Sequence, residues 1–288
     1  MRGINFGEFR LELGWEVSAF KLGQKFQELK DAGGNFLVVQ FDRNYFYSPG
    51  FYGKLGEALG MARNKFGFRI MLSLGWDKSI PNEMIRVPDQ QLVDDWRRFV
   101  NFKDDSSPYM DRGQSFASIL RRTVDFYQML TEPSGDFTYF NQYLDGACAE
   151  IKSAVGPEAI CGFSDGDFWA TDAVELLYVD ESGADLAKKF SELHPNSAVV
   201  IHPFKLDNPV DPNDPLRSER PDPMLYVKQL KDKGVLVIIG EAGWEDWKMN
   251  KDWLMSFFQY CEDNKIPYAI DGDVSDVEHL WSQYKNAT

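Results

Sequence analysis

Eight short apolar runs rich in Val, Ile and Phe recur along the chain with amphipathic segments between them, and this alternation restricts the fold more than any other feature. The runs are RGINFG (2–7), NFLVVQF (35–41), FRIMLSLGW (68–76), VDFYQML (124–130), AICGFSD (159–165), SAVVIHPF (197–204), VLVIIGE (235–241) and PYAIDGD (267–273). Hydrophobicity that is nearly unbroken over such lengths fits strands buried on both faces, as in a parallel sheet covered by helices. The segments between them, such as SAFKLGQKFQELKDAG with Leu22, Phe26 and Leu29 on one face, predict helices laid on that sheet. Several end in Gly just before the next run (DAGGN, KFGF, DKGV), where a left-handed C-cap is cheapest. Eight such units in 288 residues predict a single (β/α)8 TIM barrel over residues 1–288, of the α/β class. An open doubly wound sheet is the competitor, but GINFGEF after the first strand lacks the glycine spacing of a phosphate loop. The Pro- and Asp-rich stretch 203–223 reads as a long loop after strand six, so no domain boundary is expected.

Charge and cysteine content narrow the function. With 31 Lys and Arg against 45 Asp and Glu, the net charge of −14 repels polyanions and argues against nucleic acid or an anionic membrane as partner. No apolar run reaches the roughly 18 residues of a membrane span, and MRGINFGEFR has no apolar signal-peptide core. Export is therefore expected only if a signal has been removed, and a monomer acting on a neutral ligand is the simplest expectation. Cys148, Cys161 and Cys261 lie far apart without CxxC spacing, so neither a zinc ribbon nor a disulfide framework is predicted, although one pair is able to form. Aromatic residues make up 15% of the chain, enough to leave some rings for stacking on ligands beyond the needs of the core.

Chemistry in a barrel of this kind collects at the carboxyl ends of the strands. The polar residues there are Asn5, Gln40, Asp42, Trp76, Asp77, Glu132, Asp165, Asp167, His202, Glu241, Asp271 and Asp273, a mostly acidic ring. Glu132 and Glu241 stand out because each follows an apolar run, where a carboxylate is costly to keep without a role. Trp76 and Trp244 fall beside strand ends, where an indole can stack on the apolar face of a pyranose.

Several of these segments resemble one known group. MLTEPSGD is similar to the Asn-Glu-Pro signature after strand four of clan A glycoside hydrolases. VIIGEAGW resembles the Gly-Glu-Phe-Gly segment after strand seven of glycoside hydrolase family 5, the cellulase and mannanase family. MRGINFGEF is similar to that family's opening Arg-Gly-Val-Asn, LKDAGGNFLVV to its first helix and second strand, and IHPF to its His-x-Tyr on strand six. The resemblance implies a retaining glycosidase that cleaves β-linked glycans, with Glu132 as acid and base, Glu241 as nucleophile, and no metal or cofactor. It also implies sugar contacts from Thr131 and His202, to which stacking by Trp76 and Trp244 and hydroxyl contacts from Gln40 and Asp271 in a diverged subsite are added as expectations.

The chain departs from the pattern at several of these places. Thr131 stands where the family has Asn, Val38 where it has Arg on strand two (with Gln40 or Arg43 as substitutes), Gly75 and Trp76 where it has His, and Phe204 where it has Tyr. The family's strand-eight Trp is replaced near Asp271. These departures imply a diverged sugar subsite. Two other classes remain: a glycan-binding barrel that does not cut, and a metal-dependent sugar isomerase or epimerase using Glu132, Asp165, His202, Glu241 and Asp271. The second is poorly supplied, since only one suitable His is present.

Overall fold

The computed structural model describes residues 2–6, 19–41, 43–74, 89–104, 112–130, 137–164, 188, 191–192, 196–201, 223–242 and 251–271. For 2–6, 19–20, 44, 137–141, 163–164, 223, 241–242, 251–254 and 271 it describes the backbone alone. The strands are β1 (Arg2–Phe6), β2 (Phe36–Phe41), β3 (Arg69–Leu74), β4 (Phe126–Gln128), β5 (Ile160–Ser164), β6 (Ser197–Ile201), β7 (Val237–Ala242) and β8 (Tyr268–Asp271). All pair in parallel, each with the next, and β8 returns to β1, so the sheet is a closed barrel. The predicted (β/α)8 architecture is the one observed.

The described helices are α1 (Ala19–Asp31), α2 (Pro49–Gly60), α3 (Gln90–Asn101), α4 (Ala117–Thr123), α5 (Phe137–Val155), α6 (Pro223–Asp232) and α7 (Lys251–Asp263). Each buries one stripe on the barrel: Leu22, Phe26 and Leu29 of α1, Leu144, Ala147, Ile151 and Val155 of α5, Phe257, Phe258 and Cys261 of α7. Asp89 caps α3, its carboxylate accepting from the Leu92 amide at 2.9 Å. On α5, a Cβ at Gly146 would come within 2.9 Å of Val93 Cγ2, so the missing side chain lets α3 and α5 approach closely. AVELLYVDESGADLAKKFSEL (173–193), another amphipathic segment that predicts a helix, lies mostly outside the described residues. Two local features were not expected: a 3-10 turn (Arg43–Tyr47) directly after β2, and a π-helical turn (Met61–Lys65) that continues α2.

Most of the described aromatic rings are core. Phe41, Phe46, Phe51, Tyr52, Trp96, Phe99 and Phe116 are buried and pack edge-on or stacked between β2, α2, α3 and the start of α4. The polar atoms of this cluster are satisfied: Tyr52 donates to the Phe46 carbonyl at 2.8 Å, and the Trp96 indole to the Met129 carbonyl at 3.0 Å.

A single carboxylate organises the amino-terminal end of β3 and β4. Asp125 Oδ2 accepts from the Ile70 amide at 2.8 Å and from Arg63 at 3.1 Å, and its Oδ1 from Arg69 at 2.7 Å. The Asp125 amide in turn donates to the Ile70 carbonyl at 2.9 Å, so the two residues bond reciprocally. Asp125→Ala is expected to cost about 2–3 kcal/mol, because it strands a backbone donor and two arginines together. Asp125→Asn, which keeps an acceptor for Ile70, should cost less; denaturant unfolding of the two variants measures the order.

Candidate functional site

The barrel interior changes polarity along its axis. Its amino-terminal and middle levels are filled by Phe36, Val38, Met71, Phe126, Ala198, Val200, Ile238 and Ala269, a closed apolar plug. Two residues further along the same inward files stand Gln40, Ser73 and Gln128, each 1% exposed and lying side by side in register. Polar groups in a dry core are tolerated when they bond one another, and Ser73 Oγ donates to Gln128 Oε1 at 2.7 Å. Gln128 Nε2 has no hydrogen-bond partner among the described residues. The polar level marks the carboxyl-terminal end, where the strands open towards the rim.

Register carries the site around to the other strands. Asn5 of β1 pairs with Val38 on one side and with Asp271 on the other, so positions 5 and 271 belong to the inward files. On β7, Ile239 pairs with Tyr268 and Ala242 with Ile270, which leaves Gly240 and Glu241 opposite the single residue Ala269. Two residues opposing one is the pattern of a β-bulge, a device found next to active sites at barrel rims. Strict alternation from inward Ile238 would assign 241 to the outer file. The shifted register removes that assignment, since 240 and 241 together lie opposite Ala269.

Past β4 the chain stays tightly held. The Met129 amide donates to the Gly162 carbonyl at 3.2 Å, and Met129 and Leu130 are buried. Thr131 and Glu132 follow directly, and they lie outside the described residues, as do Trp76, His202 and Trp244. Of the predicted site residues the structure therefore brings Gln40 and the backbone positions 241 and 271 to one end of the barrel. The separation of the two glutamate carboxyls falls outside what is described.

Arg43 does not replace the strand-two arginine. It sits on the 3-10 turn, with Nε 2.9 Å from Asp95 Oδ2 and Nη2 3.4 Å from Asp89 Oδ1. Asp95 also accepts from the Tyr47 hydroxyl and from Gln91 at 2.8 Å, while the Arg98 guanidinium lies 4.7 Å from the Tyr47 ring centre. Arg43 is thus committed to bracing the loop after β2. Val38, at the position the resemblance aligns with the arginine, is buried within the apolar plug. Tyr47 is half exposed, and partial desolvation of its hydroxyl, then the bond to Asp95 and its charge, raise the phenol to about 12.

Ser73 and Gln128 were not among the expected site residues. The signal was present: each is a polar residue two positions after an inward Met71 or Phe126, inside an otherwise apolar run. Among the described residues no group of His, Cys, Asp and Glu is arranged to hold a metal ion, and no helix is long and apolar enough to cross a membrane.

No family model and no curated protein sequence matches the chain. Solved structures do match its fold over almost its whole length. A xyloglucan-specific endo-β-1,4-glucanase of glycoside hydrolase family 5 from a metagenomic library, XEG5A, aligns at TM-score 0.63 and 12% identity, covering 98% of this chain and 96% of its own. Endoglucanase Cel5A from Thermotoga maritima aligns at 0.60 and 16%, covering 97% and 96%. An endocellulase from Pyrococcus horikoshii aligns at 0.57 and 12%, covering 97% and 92%. The chain has the barrel fold of these family 5 enzymes.

Two measurements test the local chemistry. Ser73→Ala alone is expected to cost about 1–2 kcal/mol, whereas Ser73→Ala with Gln128→Leu should return to within about 1 kcal/mol of the parent, since both ends of the buried bond are removed together. Additive losses in urea unfolding would show the pair to be uncoupled. Separately, the Tyr47 phenol is raised from 10.0 to about 12 in the folded state, so between those values the unfolded chain loses its proton first. The tyrosine's contribution is complete below pH 10 and is lost as pH rises towards 12. Tyr47→Phe should flatten that part of the alkaline stability curve.

Proposed function

We propose that this protein is a retaining glycoside hydrolase acting on β-linked glycans of the β-glucan or β-mannan type, with Glu241 as nucleophile and Glu132 as acid and base. The observation that supports the reading is that position 241 lies at the carboxyl-terminal end of β7 in a closed barrel, where the register against β8 shifts by one residue. The polar level of Gln40, Ser73 and Gln128 beneath the rim supports it, as does a fold shared with endoglucanases over nearly the full chain.

In the proposed reaction a Glu241 carboxylate oxygen attacks the anomeric carbon as the glycosidic C–O bond breaks, and Glu132 gives its proton to the leaving oxygen. The products of this step are a glycosyl ester on Glu241 and a released alcohol. Glu132, now a carboxylate, takes a proton from water, whose oxygen attacks the anomeric carbon and frees Glu241. The two groups require opposite tuning. Glu132 holds its proton while Glu241 is charged nearby, and it releases that affinity once Glu241 is esterified and neutral.

A second reading has its own support. Val38, buried in the plug, supplies no positive charge at the level where the resemblance expects an arginine, and a barrel that binds glycans without cutting them tolerates that loss. One series of experiments separates the two. For the hydrolase, Glu241→Ala abolishes release of the aryl group from a β-aryl cellobioside or mannobioside, and added azide restores cleavage with inversion at the anomeric carbon. A glycan-binding barrel shows no turnover in the parent protein and keeps its affinity for cellotriose or mannotriose in Glu241→Gln. Cleavage by Glu241→Ala at the parental rate, without azide, overturns the role given to this residue.

A further inference from the structure

We propose that this chain is oxidised during maturation, and that a Cys148–Cys161 disulfide staples α5 to β5 and makes the segment leading from β4 to the rim sensitive to redox state. Cys148 lies on the buried stripe of α5, beside Ala147 and one turn from Leu144 and Ile151. Cys161 is fully buried on the outer, helix-facing side of β5. Their Cα atoms are 6.0 Å apart and the sulfurs are bonded, a separation that a disulfide spans without backbone movement. The third cysteine, Cys261 of α7, is buried and free.

The position of the staple gives it reach. Gly162, the residue after Cys161, accepts the Met129 amide at 3.2 Å through its carbonyl, and the Met129 carbonyl accepts the Trp96 indole at 3.0 Å. A Cβ at position 162 would lie 2.7 Å from Val200 Cγ2, so β5 is tightly seated against β6 there. β4 is hydrogen-bonded to β5, and α5, which begins at Phe137, is cross-linked to β5 by the disulfide. β4, which precedes the connection that carries Glu132, is thus hydrogen-bonded to β5, and the helix that follows the connection is cross-linked to the same strand about three turns further on, at Cys148.

Formation of the bond is a balanced exchange with a disulfide-bearing oxidant, either a small molecule or a protein. One cysteine thiolate attacks the oxidant and releases its first thiolate; the second cysteine then attacks the mixed disulfide and releases the other. Two protons leave the cysteines and two electrons pass to the oxidant. Buried bonds of this kind persist in oxidising compartments. The inference does not depend on the glycosidase reading.

The test uses the full chain produced in an oxidising compartment, such as a bacterial periplasm. Alkylated under denaturing conditions without reductant, it should carry one modified cysteine, rising to three after reduction, with a cross-linked peptide pair containing residues 148 and 161. Three modified cysteines before reduction overturn the proposal. Reductant should lower the melting temperature of the parent by about 5–10 °C and leave that of Cys148→Ala/Cys161→Ala unchanged. If the double variant does not fold, the thiol count on the parent still decides. Below the melting transition, reduction should speed hydrogen exchange of the Met129 amide at least several-fold. Unchanged protection at Met129 would remove the rim from the proposal.

Discussion

Closing eight parallel strands on themselves leaves an interior that water does not fill and that alternate side chains must. Everything else in this molecule follows from how that space is filled. The lower levels are packed by Phe36, Val38, Met71, Phe126 and their neighbours, which remove apolar surface from water at roughly 25 cal/mol per Å2. The upper level is built from Gln40, Ser73 and Gln128, which gain no such stabilisation and need partners instead. A barrel that needed only stability would continue the apolar filling to the rim. The change of chemistry at one end supports the proposal that the site lies there, and it does so independently of any likeness to other proteins.

The two ends of the barrel are braced in different ways. At the amino-terminal end, Asp125 joins β3, β4 and two arginines in a cluster whose hydrogen bonds are largely made to backbone or to fixed guanidinium groups. At the opposite end the bracing is set back from the mouth. Arg43, Tyr47, Gln91 and Asp95 pin the turn after β2 to α3, and Trp96 holds the Met129 carbonyl from the outside. Groups that serve as props are thereby kept off the inner file, which is left to Gln40 and its neighbours. This division agrees with the general rule that the lower face of such barrels serves stability and the upper face chemistry.

The parts of this design legible in the sequence are those that repeat with a fixed period. The eight runs correspond to the eight strands because burial on both faces makes each run apolar throughout, and the helices were visible through stripes such as Leu22, Phe26 and Leu29. The seven-residue α4 is too short to display a stripe, and the π-helical turn only prolongs α2. The bulge at Gly240 and Glu241 inserts one residue into an apolar run without changing its composition, so counting along the chain misassigns everything beyond it. The disulfide was hidden for another reason. Cys148 and Cys161 are unremarkable in spacing, and only the docking of α5 on β5 brings them together. Ser73 and Gln128 were legible in principle, as polar residues at inward parity, yet a serine or glutamine inside an apolar run draws less notice than a carboxylate.

Val38 links the interior packing to the electrostatics of the site. An arginine at that level would bring a fixed positive charge up through the barrel towards the rim; a buried valine continues the plug instead, and the first polar group above it on β2 is the neutral amide of Gln40. On the proposed mechanism, no guanidinium at position 38 helps to balance the charge of Glu241, and more of that balance falls to the proton held by Glu132. Two carboxyls without a nearby cation share a proton more firmly than two that have one. On that reading the apolar filling of the barrel also bears on the proposed acid and base, because Val38, which belongs to the plug, supplies no counter-charge.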